Sequence, residues 1–334
     1  MKKILILASI SIVLIISGCS TKRQYFEPEK VDMNAKFDSS LDSKIIHTSI
    51  SGATLENGEI ITIDGINKNI KLPKGFKLLG VDNNNVIASD IYGELKVINK
   101  KDNSDVFSKK FPEAIVSAAI ENNLLAAVSA ANSIYLIDIY SAKTMMEYKS
   151  EDVFAIDSRV AQPLFLNSII IYPSLDGKIY VTQKNGQIIK DIVISSESFF
   201  NNIIYLDVID DYMIAATAKK IMVITPGQTV FLNKEIKNIL RNEKDIYIFE
   251  KDGKITKTDL TLTKLADTYF KFAIFSNATV VNDKLYIVEK TGYIFQTDLN
   301  LKNQNIIKIN SEIQDKIFVA KDILYHDKEY MKFK

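Results

Sequence analysis

One position, repeated eight times, constrains the fold of this chain more than any other feature. Gly58, Gly93, Asn132, Gly177, Lys219, Gly253, Gly292 and Lys328 follow one another at spacings of 34 to 45 residues. Two residues later comes an apolar side chain in every copy: Ile60, Leu95, Ile134, Ile179, Ile221, Ile255, Ile294 and Tyr330. Six residues later comes a polar one, in four copies an aspartate (Asp64, Asp138, Asp259, Asp298). Several copies begin on Asn-Gly or Asp-Gly. That pair suits the two-residue turn of a β-hairpin because both central residues need positive φ. Between the turns lie short runs of Ile, Val, Tyr and Phe, and no segment after Ile16 keeps a helical period. A period near 40 with several strands per unit is the mark of a propeller. The chain is expected to be all-β: an eight-bladed β-propeller of four-stranded antiparallel blades filling residues 41–334.

One unit can be read in full. Strands are expected near 161–166, at 168–174, at 178–183 and at 187–194, with turns at Asp176-Gly177 and Asn185-Gly186. The last unit offers only three strands before the sequence stops. An open blade leaves unpaired backbone. Part of residues 30–38 is therefore expected to supply the outer strand of the final blade.

The first residues carry an address. Lys2 and Lys3 precede an apolar run over 4–16, which ends in Ile16-Ser17-Gly18-Cys19. A basic start and a short apolar core are the parts of a secretory signal. The sequence into Cys19 resembles the lipobox of bacterial lipoproteins. That resemblance implies removal of residues 1–18, a fatty-acylated Cys19 and a membrane-anchored chain, with 19–40 as lipidated end, tether and closing strand. Ser20 follows the cysteine where Asp would resemble an inner-membrane retention signal. The expected place is the outer membrane, facing the periplasm. More than one acyl chain gives stable anchoring. Losing Lys2 and Lys3 leaves 40 basic against 41 acidic residues, so no global field draws the chain to nucleic acid.

The units at 169–183 and 284–298 read apolar strand, Asp/Thr-Gly, then an Ile-Tyr or Ile-Phe strand. This is similar to the repeat of pyrroloquinoline-quinone (PQQ) type propellers. Eight such units behind a lipobox resemble the BamB-like lipoproteins of outer-membrane β-barrel assembly. The resemblance implies a non-catalytic scaffold whose partner is an assembly-machinery subunit or an unfolded outer-membrane protein, held by β-augmentation. The sequence departs from the repeat in having no Trp and in placing Asn132, Lys219 and Lys328 where glycine is usual. No partner-binding residues carry over.

Little material for chemistry remains. Quinone enzymes of this fold class hold their cofactor between Trp and a vicinal disulfide; this chain has no Trp and one Cys. No cofactor, metal site or catalytic residue is expected. His47 and His326 are expected as half-exposed strand residues, and the recurrent aspartates as turn-shaping groups. Phe199, Phe200, Phe270 and Phe272 are expected to pack between blades. The longest spacing, from Asn132 to Gly177, holds the polar stretch 150–162 with Arg159, which reads either as a mere insertion or as an enlarged rim loop of the kind that meets partners. The alternatives are a ligand- or host-binding surface lipoprotein, with the central channel as one possible pocket, and a divergent PQQ-type enzyme.

Overall fold

The structure, a computed structural model, describes residues 24–313 and 316–334. Every regular element among them is a β-strand. They form eight sheets in chain order, one per sequence unit. In each, consecutive strands pair antiparallel from an inner strand outward. The unit read in full above becomes Leu164–Phe165, Ile169–Pro173, Lys178–Gln183 and Ile188–Val193.

The repeated turn falls between the second and third strands of every blade. It is a structural clip. The backbone N–H of Phe111 donates to Gly93 O (2.8 Å), Ser150 to Asn132 O (3.0 Å), Phe270 to Gly253 O (2.9 Å) and Ile309 to Gly292 O (2.9 Å). Each bond ties the end of an outer strand to that turn. The turns and the connections from one blade to the next therefore share one face, called here the upper face. The apolar residue two places on is fully buried in seven blades, from Ile60 to Ile294. These side chains build clusters that bridge neighbouring blades. Burying them stabilises each sheet by roughly 25 cal/mol per Å² of apolar surface removed from water. The ring thus holds together with no disulfide.

The chain end closes the ring, with a shift in register. Ser39–Ser40 pairs antiparallel with Glu329–Lys332 as the fourth strand of blade eight. Leu41 N then donates to Lys328 O at 2.8 Å, the same clip that the other blades make. Of the segment expected to do this, Met33–Ala35 instead runs parallel beside Asn305–Ile309, as a fifth strand on blade seven. The cause is local. The clip at Lys328 fixes Leu41, so the strand lies just before it. Asp32 is pinned to Ile306 by two bonds, its own N–H to Ile306 O and Ile306 N–H to its carboxylate. Phe26 is buried edge-on against Phe270, Tyr293 and Phe295, with ring centres 6.2, 5.5 and 4.8 Å away. Phe37 is buried against His326.

The inner strands of blades one, two, three, six and seven carry a one-residue bulge near their upper ends. The bulged residues are Ile46, Leu79, Val116, Lys237 and Ser276. A bulge leaves its residue outside the ladder. Two of these residues recur below.

Candidate functional site

The enlarged connection between blades three and four crosses the upper mouth of the central channel. It leaves the outer strand Lys143–Lys149 and enters the inner strand Leu164–Phe165, which is only two residues long. Asn132 holds its start: Nδ2 donates to Glu151 O (2.8 Å), and Oδ1 accepts from Leu175 N (2.8 Å). Asn stands here where most copies have Gly. Its φ of 61° is one that Asn tolerates, and its amide adds bonds that glycine lacks.

Further on, polar side chains bolt the loop to the ring. Gln162 Nε2 donates to Leu79 O (2.5 Å) of blade two and Ala118 O (3.0 Å) of blade three. The Arg159 guanidinium donates to Lys237 O of blade six. Leu79 and Lys237 are two of the bulged residues. Blades two and six stand opposite each other in a ring of eight. Residues 159–162 therefore span the opening. Asn202, in the next connection, accepts from Asp157 N (2.6 Å) and donates to Arg159 O (2.6 Å). Ala161 N donates to Ile203 O, and Ala161 O accepts from the Ser117 hydroxyl. Burial acts to raise the Asp157 carboxyl pKa, but the Arg159 hydrogen bonds and charge outweigh it. The group is held below the usual carboxylate range. The Asp157 carboxylate thus stays charged at neutral pH, and its bond to Arg159 is a charge-assisted brace.

On the outer side of this bolted loop lies apolar surface. Phe154 is 87% exposed, Phe199 56% and Phe200 53%. The Phe200 N–H donates to Ala155 O (3.0 Å), which joins the two connections. Phe200 has φ of 55°, uncommon for a bulky side chain and a point of backbone strain.

Other expected positions fall as follows. Phe270 packs between blades, stacked on Phe295 with ring centres 4.0 Å apart, and Phe272 is half-buried beneath the Lys271 ammonium. Phe199 and Phe200 depart from the expectation. Ile203 and Ile204 fill the interblade space behind them, so the two rings are left outside. His47 is half-buried in the inner strand of blade one. His326 is not half-exposed: Phe37 of the closing segment covers it, and burial lowers its pKa against the opposing pull of Asp327 and Glu329. Asp138, Asp259 and Asp298 each accept backbone N–H bonds within their own turn. Asp64 instead pairs with Lys321 of blade eight at 3.0 Å. The buried Glu289, whose pKa burial raises, accepts from Ile274 N and Thr291 N and so organises a turn. Among the described residues no three His, Cys, Asp or Glu side chains are grouped to hold a metal ion. Cys19, the expected acylation site, lies outside the described residues.

Ring and loop together define an eight-bladed β-propeller. Its fold is shared by BamB from Moraxella catarrhalis, with a TM-score of 0.69 and 14% identity over 88% of this chain and 98% of that one. The C-terminal WD40 domain of Sif2 gives a TM-score of 0.68 with 13% identity, over 91% and 99% of the two chains. By sequence the chain belongs to the family of the plasminogen-binding protein PgbB. It is 30% identical over 379 aligned residues to PgbB of Helicobacter pylori strain J99, covering 96% of this chain and 70% of the relative. PgbB of strain 26695 is likewise 30% identical, over 378 residues, 96% of this chain and 69% of the relative. No family model matches the chain. The likeness to BamB thus concerns architecture, and the relation by sequence lies with PgbB.

Proposed function

We propose that this chain is a lipid-anchored binding protein of the outer membrane that captures host plasminogen, the ligand in the name of its relatives. The observation that carries the reading is the 30% identity spread over 96% of the chain, so the whole ring and not one module is held in common. The mechanism is contact. A rigid ring with polar turns offers broad, preformed surfaces, and a preformed surface loses little entropy on binding. Acylation at Cys19 holds the ring at the membrane. A host protein reaches it only from outside, so this reading requires display on the cell surface and not the periplasmic orientation that the signal alone suggests.

The test is direct. A Cys19→Ala chain lacking residues 1–18 is passed over immobilised plasminogen, and protease is applied to intact cells. Saturable binding together with surface cleavage supports the reading. Absence of binding, or a chain protected in intact cells, refutes it. A second reading, a scaffold for β-barrel assembly, is favoured by the lipobox ahead of a ring that overlays BamB along 98% of its length. Co-purification of a barrel-assembly subunit from solubilised membranes would select it.

A further inference from the structure

The tether leaves the ring on the face that carries the exposed phenylalanines. Taking the acylated Cys19 of the proposed function as given, we infer that this upper face lies against the lipid bilayer, with Phe154, Phe199 and Phe200 in the interface.

The exit point is fixed by packing. Phe26 is buried between blades six and seven, against Phe270, Tyr293 and Phe295. Gln24 borders a shallow depression with Lys251 and Asp252, of the blade-six turn, and Phe272 and Ile274, of the connection to blade seven. Turns and connections both belong to the upper face, as the clips establish.

Length then decides between faces. Gln24 is five residue steps from Cys19, and a chain spans at most ~3.6 Å per step, so the anchor lies within about 18 Å of that rim. Blade strands such as Asp245–Glu250 have 6 residues, or about 20 Å of height at ~3.3 Å each. The tether is too short to carry the anchor round to the opposite face. It is also too short to leave space for a folded partner beneath the upper face, because a small domain is about 30 Å across.

Chemistry separates the upper face from the rim. Exposed apolar groups on the outer strands lie among charges: Phe231 sits 4.8 Å beneath the Lys220 ammonium, and the Leu265 strand carries Asp267, paired with Lys254 of the strand beside it. The lower face turns on Asp82-Asn83-Asn84, Asn122-Asn123, Asp210-Asp211 and Asn282-Asp283, and also exposes Ile50, Ile63 and Tyr140, each in a hairpin turn of its own. The three phenylalanines instead stand on two joined connections, and on the same face Ile91 and Tyr92 are 67% and 71% exposed. Aromatic and aliphatic side chains with a polar surround are what binds a headgroup–acyl boundary.

The chain has no tryptophan, so a single introduced indole reports its own surroundings. The full lipidated chain carrying Phe154→Trp, Phe199→Trp, Phe231→Trp or Tyr140→Trp is reconstituted into phosphatidylethanolamine–phosphatidylglycerol vesicles containing brominated acyl chains. Tyr140 is 78% exposed on the lower face and Phe231 lies on the rim. The expected result is loss of emission with a blue shift at positions 154 and 199, and unchanged emission at 140 and 231. Quenching at 140 or 231 without quenching at 154 and 199 overturns the inference. So does an acylated, vesicle-bound chain in which no position is quenched. Intact mass and flotation are read in parallel. A chain without acyl mass that does not float refutes the anchor itself, and that outcome is distinct from an anchored chain lying the other way up.

Discussion

Gly253 and Gly75 occupy the same left-handed backbone region, at φ of 98° and 89°, yet their surroundings differ. A Cβ on Gly253 would lie 2.0 Å from Phe270 O, the carbonyl of the clipped outer strand, whereas a Cβ on Gly75 meets nothing within 4 Å. Left-handed backbone costs a side chain about 1–2 kcal/mol. Gly75→Ala is therefore expected to lose about 1 kcal/mol, and Gly253→Ala at least about 3 kcal/mol, because a backbone carbonyl must also move. Urea unfolding of the two variants checks this. The two histidines make a second prediction. Burial lowers the pKa of both His47 and His326 below the ordinary 6.5. As pH falls through about 6.5 the unfolded chain takes up protons that the folded chain refuses, so stability drops on acidification. The urea midpoint is expected to fall between pH 7.5 and 5.5, and the double variant His47→Gln, His326→Gln to fall less. Turn glycines were legible in the sequence because φ demands are local. The burial of His326 was not, since the residue that covers it lies near the other end of the chain.

The closing segment and the mouth loop show how elements whose partners lie far off in sequence are fixed. Residues 31–38 alternate apolar and polar side chains, as a strand does, but that alternation does not say which blade Met33–Ala35 joins. Its place comes from Phe26 and Phe37 on either side, each buried in a pocket of blades already formed. Phe26→Ala is expected to cost about 3 kcal/mol, the usual scale for emptying a Phe site, and to raise amide exchange in 24–41 before any other segment. The mouth loop was visible only as an unusual spacing. Its path depends on side chains reaching carbonyls 78 and 83 residues away in sequence, Arg159 to Lys237 and Gln162 to Leu79, both at bulges of the inner strands. Neither leaves a local signal. Paired substitution Arg159→Ala, Gln162→Ala is expected to speed hydrogen exchange across 155–162 while leaving the exchange of the inner strand Ile236–Asn242 nearly unchanged. Equal loosening of both would mean that the loop holds the ring together and is more than a cover.

At the scale of the whole molecule, eightfold repetition made the architecture readable. Each copy solves the same problem with the same turn, apolar residue and polar residue, so errors in one unit are corrected by the other seven. The exposed Phe199 and Phe200 were misplaced because burial between blades is a property of the assembled ring. Apolar residues beside a connection read alike whether they point in or out. The ring also explains why its last sheet matters most. Ser39 lies beside Tyr330 in that sheet, so Ser39–Ser40 waits for the final hairpin, as Met33–Ala35 waits for blade seven, before it has a strand to pair with. Joining points so distant in sequence is slow in entropic terms. During that wait another molecule carries an identical leading segment. Completion is thus a contest between self and neighbour that dilution settles in favour of self, and crowded chains are drawn toward exchanged pairs in which each lends the other its opening strand.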